Sequence, residues 1–176
     1  MSNMDTQTRV ADIPTPYLYF GTVKPAWLDE NGHMNVAYYM SAFDDGGEVL
    51  FADPGIGWEY TRQQVGTVFV VSSKVDYLGE LLAGDQFCVA SRLINFNHKM
   101  LHVYYEISKQ VANNPNKRHE FQLSATAEIL YMHISFQTRK SAPMPDAVIA
   151  RLRQIHDAHK SSPLPDTIGA GLGIRS

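Results

Sequence analysis

Three residues within five positions, Asp29, Gly32 and His33, immediately precede an amphipathic stretch and are the part of this chain best suited to chemistry. In WLDENGHMNVAYYMSAFDDGGEVLF, residues 27–51, they set a carboxylate and an imidazole beside the positive end of a helix dipole. Developing negative charge is stabilised there. The same residues also suit a plain helix start, with Asp29 and Asn31 capping free N–H groups.

Other residues compete for a role. Asp44, Asp45 and Glu48 follow on the same predicted helix, where they are either a solvated acidic face or a second source of a carboxylate. His98, His102, His119, His133, His156 and His159 show no metal-ligand spacing, so no metal is expected. Ser72, Ser73 and Ser124 lack a G-x-S-x-G elbow, which argues against a serine hydrolase. Lys74, Arg92, Lys99, Lys117 and Arg118 are either phosphate contacts or ordinary surface charges. Trp27, Tyr38, Tyr39, Trp58, Tyr60, Phe69 and Tyr77 gather in sequence around the turn. They are either core or an aromatic cage for a quaternary ammonium, held by cation–π contacts.

The elements that must position these groups follow from periodicity. Tyr17–Trp27 is aromatic and β-branched, a first strand ending near an edge at Pro25. From about Asn35 to Phe51, Tyr39, Phe43 and Leu50 share one helical face. Gly46 and Gly47 inside it cost about 1 kcal/mol each relative to alanine. They point to a strand or a second subunit packed against the helix backbone, or to a helix end near Gly46. Residues 52–64 read as a turn and connector. Val65–Leu78, Asp85–Phe96, Lys99–Val111 and Glu120–Phe136 read as four strands, with an Asn97-His98 hairpin turn. Val103, Tyr105 and Ile107 alternate with His102, Tyr104 and Glu106, so one face is buried. Val148, Leu152 and Ile155 mark a closing amphipathic helix over Asp146–His159. Residues 1–16 read as a flexible arm, 17–160 as one domain and 161–176 as a disordered tail. One helix against one face of an antiparallel sheet leaves its other face and edges to be covered, and oligomerisation does that.

Composition narrows the function. The chain has 176 residues, enough for one domain with a sizeable core. Fifteen basic and 18 acidic residues give a net charge of -3, which argues against nucleic acid or an anionic membrane as partner. The single cysteine, Cys88, lies in an apolar strand-like run, and no signal-peptide or membrane-spanning pattern is present. The expectation is a soluble cytoplasmic protein acting on a small molecule.

The residues also carry a family resemblance. Asp29, Gly32, His33, Met34 and Asn35, followed by Tyr38 and Tyr39, resemble the D-x-x-G-H-[MV]-N-N-x-x-Y signature of hotdog-fold acyl-CoA thioesterases, the 4-hydroxybenzoyl-CoA thioesterase family. Val75-Asp76-Tyr77-Leu78 with Gly84-Asp85 resembles that family's second block, and the likeness spans roughly residues 19–145. It implies an α+β fold: about five antiparallel strands wrapped around a long central helix, with a short C-terminal helix. It implies hydrolysis of an acyl-CoA thioester in a homodimer or homotetramer, at a site on the dimer interface. Asp29 would be nucleophile or general base, while N–H groups around His33, Met34 and Asn35 hold the thioester oxygen. His33 orients or assists the carboxylate or is structural. Trp27, Tyr38, Tyr39, Phe69 and Tyr77 would bind the substrate. Coenzyme A would be part of the substrate, with no cofactor. Val36 stands where the family commonly has a second asparagine, which removes any hydrogen bond from that side chain.

GHMNVAYYMSAFDD and the later ATAEILYMHIS are further similar to betainyl-CoA thioesterases of carnitine breakdown, which some bacteria fuse to a carnitine dehydrogenase. Two other readings compete with hydrolysis: a non-catalytic acyl-CoA-binding module that uses the same site as a sensor, and a hotdog dehydratase that draws a histidine and an acid from a different part of the central helix.

Overall fold

The computed structural model describes residues 15–111 and 120–170. Its elements are β1 (Tyr17–Thr22), α1 (Val36–Ala52), α2 (Trp58–Arg62), β2 (Gly66–Tyr77), β3 (Gln86–Phe96), β4 (Met100–Val111), β5 (Glu120–Ser135) and α3 (Asp146–His159). The five strands form one antiparallel sheet in the order β1-β3-β4-β5-β2, and α1 lies along its inner face. This is the arrangement that the resemblance implies.

The alternation explains which face is buried. Val89, Val103, Tyr105, Ile107, Ala125 and Ile129 point inward and are sealed from solvent by Phe43, Leu50 and Phe51 of α1. Gly46 and Gly47 let α1 sit close. A methyl group on Gly46 would stand 2.6 Å from Val89 Cγ1, and one on Gly47 would stand 2.8 Å from the Tyr105 hydroxyl. The helix runs on to Ala52, so the pair is a close-packing device against β3 and β4, not a helix end. The β3–β4 connection turns on Asn97, whose side chain accepts from the Lys99 and Met100 N–H groups.

Three boundaries differ from expectation. β1 stops at Thr22, and Pro25, which has no N–H for a ladder, instead opens a single 3-10 turn through Trp27. The connector after α1 contains α2, five residues long. The C-terminal segment to residue 170 is tied down across the sheet's outer face. Arg92 of β3 donates to the Ser162 and Pro163 carbonyls, and Glu128 of β5 accepts from the Gly169 N–H. Residues 1–14 of the expected 1–16 arm and the end of the tail, 171–176, lie outside the described residues. No helix among the described residues is long and apolar enough to cross a membrane.

Candidate active site

The turn before α1 is built by the main chain. Leu28 and Met34 form an isolated antiparallel bridge, the Asp29 N–H donates to the His33 carbonyl, and the Gly32 N–H donates to the Asp29 carbonyl. Closing so tight a loop needs a residue in the left-handed region, and Gly32 occupies it at φ +84°. Two more bonds fix the turn to the fold. Met34 N–H donates to Leu81 O just beyond β2, and Asn35 N–H donates to Trp27 O. The Asn35 side chain caps α1 by accepting from the Ala37 N–H.

This changes which donors can serve an oxyanion. The main-chain N–H groups of Met34 and Asn35, expected to hold a thioester oxygen, are already engaged, and the Met34 side chain is buried in the core. The N–H groups of His33 and of Val36, the first helical residue, have no hydrogen-bond partner among the described residues. Helix geometry explains Val36: the first four N–H groups of any α-helix lack an intrahelical acceptor.

Asp29 is only half committed. Its Oδ1 accepts from the Asn31 N–H at 2.8 Å, and its other oxygen accepts nothing among the described residues. The imidazole of His33 stands between two carboxylates, with Nδ1 3.9 Å from Asp29 Oδ1 and Nε2 3.7 Å from Glu80 Oε2. Neither is a hydrogen bond at that length, so the group is loose. Glu80 was not singled out from the sequence; a glutamate in a loop carries no local mark of a neighbour 47 positions away.

The aromatic residues do not form one cage in a single chain. Trp27 and Tyr38 stack at 5.2 Å, with the Lys24 ammonium over the Trp27 ring. Tyr39 meets Tyr77 edge to face, and its hydroxyl donates to Gly79 O. Tyr60 donates to His133 Nε2 while the Nδ1–H of the buried His133 donates to Ala142 O, a structural pair. Phe69 lies exposed on β2.

Of the acidic run on α1, Glu48 accepts from the Trp58 N–H with both oxygens, at 2.9 and 2.8 Å, so it caps α2. Asp44 has no hydrogen bond or ion pair among the described residues. Desolvation first, and then the charge of neighbouring Asp45, holds its carboxyl above the ordinary range. Asp44, Glu48, Phe51, Trp58, Val70 and Tyr131 are among the walls of a cleft of about 290 Å³ between α1, α2 and the start of β2.

Two of the three candidate phosphate contacts among the described residues have other partners: Lys74 pairs with Asp76 at 3.1 Å, and Arg92 holds the C-terminal segment. Lys117, Arg118 and His119 lie outside the described residues. His102 pairs with Glu128 at 2.8 Å, and the His159 Nδ1 accepts from the Leu93 N–H.

A sequence profile of the family described as "Thioesterase-like superfamily" matches residues 23–152. A betainyl-CoA thioesterase of Pseudomonas aeruginosa is 26% identical over 156 residues, covering 89% of this chain and 93% of that protein. A fused L-carnitine dehydrogenase/betainyl-CoA thioesterase of a Rhizobium species is 27% identical over 86% of this chain, which spans 29% of the fusion. Among solved structures, a hypothetical protein of Staphylococcus aureus in complex with CoA superposes with a TM-score of 0.78 at 23% identity, over 93% of this chain and 98% of that one.

Proposed function

Because this chain belongs to the thioesterase-like superfamily, we propose that it hydrolyses acyl-CoA thioesters to a free acid and coenzyme A, with Asp29 as the catalytic carboxylate. The observation that carries this reading is a half-free carboxylate in the tight turn that leads into α1, whose first N–H, that of Val36, has no partner among the described residues. Attack on the carbonyl carbon turns its oxygen into an oxyanion. A main-chain donor at a helix start stabilises that charge, and losing one such donor typically costs about 3 kcal/mol of transition-state stabilisation.

Two routes fit the carboxylate. As general base, Asp29 takes the proton of a water whose oxygen bonds the carbonyl carbon; the C–S bond breaks and the proton passes to the leaving thiolate. As nucleophile, it bonds the carbon itself, expels the thiolate and forms an anhydride that water then opens. Both need only water, so the reaction uses no cofactor, and both suit a cytoplasmic enzyme.

Two copies of the chain join through β2. That strand is an outer edge of the sheet, and Phe69, Val70 and Val71 at its middle are about half exposed. An antiparallel edge is self-complementary about its midpoint, so two such edges pair by a two-fold rotation. The acyl group is that of betaine, as in the names of the relatives. The direct test offers purified protein betainyl-CoA, acetyl-CoA and benzoyl-CoA with a thiol-trapping dye. Release of CoA from betainyl-CoA well above the other two is expected; equal low rates on all three would remove the betainyl assignment.

A further inference from the structure

No step of the hydrolysis above uses the cleft between α1, α2 and the start of β2. Its walls combine aromatic rings, Phe51, Trp58 and Tyr131, with two carboxylates, and no cationic side chain is among its lining residues. Glu48 is engaged by the Trp58 N–H, which leaves Asp44 without a partner among the described residues. We propose that this cleft is the acyl subsite and that Asp44 selects acyl groups bearing a quaternary ammonium, one copy's cleft serving the other copy's Asp29. The proposal rests on the hydrolase and dimer readings above.

The chemistry favours this class of cation. A quaternary ammonium has no N–H to satisfy, so it needs no ring of acceptors; it is held by aromatic rings and a negative charge, and Trp58, Phe51, Tyr131 and Asp44 are among the cleft's lining residues. The positive charge of a bound cation would also favour the ionised Asp44 carboxylate, against the desolvation that raises its carboxyl. The cleft is small, as suits a short acyl group.

Reach decides which copy contributes. Asp44 lies eight residues past Val36, about 12 Å along the helix axis, whereas an α-ammonio acyl group has its nitrogen two bonds from the carbonyl carbon. The cleft is therefore too far from the Asp29 of its own chain. In β2 the bulge at Val71 marks the middle of the exposed edge. Pairing two β2 edges about that point sets the Thr67–Val70 end of one beside the Tyr77 end of the other. The Tyr77 end leads straight to Glu80 and Leu81, which neighbour the Asp29 turn.

The experiment uses two CoA thioethers, S-2-(trimethylammonio)ethyl-CoA and its neutral twin S-3,3-dimethylbutyl-CoA, with calorimetric affinities measured beside turnover of the matching thioesters. The wild type is expected to bind the cationic thioether more tightly. Asp44→Asn is expected to reduce that preference about tenfold, equivalent to roughly 1.4 kcal/mol, and to reduce the kcat/KM preference alike. Asp45→Asn, on the side of α1 that meets the Tyr19 hydroxyl, keeps the preference. Equal binding of the two thioethers by the wild type, or an unchanged preference in Asp44→Asn, overturns the proposal. Selective binding without turnover supports the cleft and instead defeats the hydrolase reading. Mixed dimers of Asp29→Asn and Asp44→Asn address the sharing: the preference of the mixture is expected to rise above that of Asp44→Asn alone. No rise shows that cleft and carboxylate belong to one chain and overturns the shared site.

Discussion

The two ends of α1 hold the same side chain in opposite states. At its start, Asp29 has one oxygen on the Asn31 N–H, a histidine 3.9 Å away and unpaired main-chain donors nearby. At its end, Asp53 accepts from the Tyr17 hydroxyl and from Arg151 Nε and Nη2, the guanidinium gripping both oxygens. That second aspartate joins β1, α1 and α3, with three of its roughly four acceptor sites taken and both oxygens engaged. The contrast teaches that surroundings, not residue type, decide which carboxylate is reactive: a group with both oxygens held stabilises the fold, and one left half open can take a proton or a carbonyl.

The largest expected effect breaks the comparison at its open end. Asp29→Asn keeps the shape and the cap to Asn31 but loses the base, so kcat/KM should fall about a thousandfold while the unfolding midpoint barely moves. CoA release and urea unfolding on the same sample measure both. A large loss of stability with activity intact would reverse the assignment of the two ends.

The converse substitution acts at the closed end. Asp53→Asn gives up charge-assisted hydrogen bonds and should destabilise by about 2 kcal/mol, with kcat/KM changed little. Burial pushes the Asp53 carboxyl up, but the hydrogen bonds from Arg151 and Tyr17 outweigh it and hold the carboxyl below its ordinary value. A carboxyl lowered in the folded state contributes stability above its unfolded value, near pH 4, and that contribution is lost as the pH falls through the folded value. The difference between wild type and Asp53→Asn should therefore be full at neutral pH and shrink in acid. Urea midpoints taken from about pH 7 down to pH 3 would show it; a gap that widens in acid would contradict the sign.

The same contrast sorts what could be read from the chain alone. The tight turn at Gly32 was legible because a turn is a local event with local residue preferences, whereas the cap expected at Asp29 or Asn31 falls on Asn35, directly before α1. The alternation of Val103, Tyr105 and Ile107 located the inner face of β4, and the spacing of Val148, Leu152 and Ile155 matched the observed bounds of α3. What stayed hidden was set by distant partners. The N–H of Met34 is taken by Leu81, and α2 begins where it does because Glu48, ten positions earlier, accepts the Trp58 N–H. The Tyr17–Asp53–Arg151 tie spans most of the sequence. No window of neighbouring residues contains either end of those bonds together.

A smaller effect sharpens the comparison within the turn. Gly32 has open space around it, so Gly32→Ala meets no clash, yet its φ of +84° is costly for any residue with a Cβ. The expected destabilisation is about 1 kcal/mol. Because the turn sets where Asp29 points, kcat/KM should fall more than stability does. An equal, small loss of both would mean that the turn shape matters to folding alone.

The smallest effect is expected at Glu80. Its carboxylate lies 3.7 Å from His33 Nε2 and is largely exposed, and a pair of that kind contributes about 0 to 1 kcal/mol. Glu80→Gln should therefore change kcat/KM by no more than a few-fold, and added salt should mimic it because an exposed pair is screened. If this substitution instead cost as much as Asp29→Asn, the open end would be a carboxylate–histidine–carboxylate relay that tightens when substrate arrives. The start of α1 would then be as fully organised as its end, and the looseness of the turn would belong only to the unliganded chain.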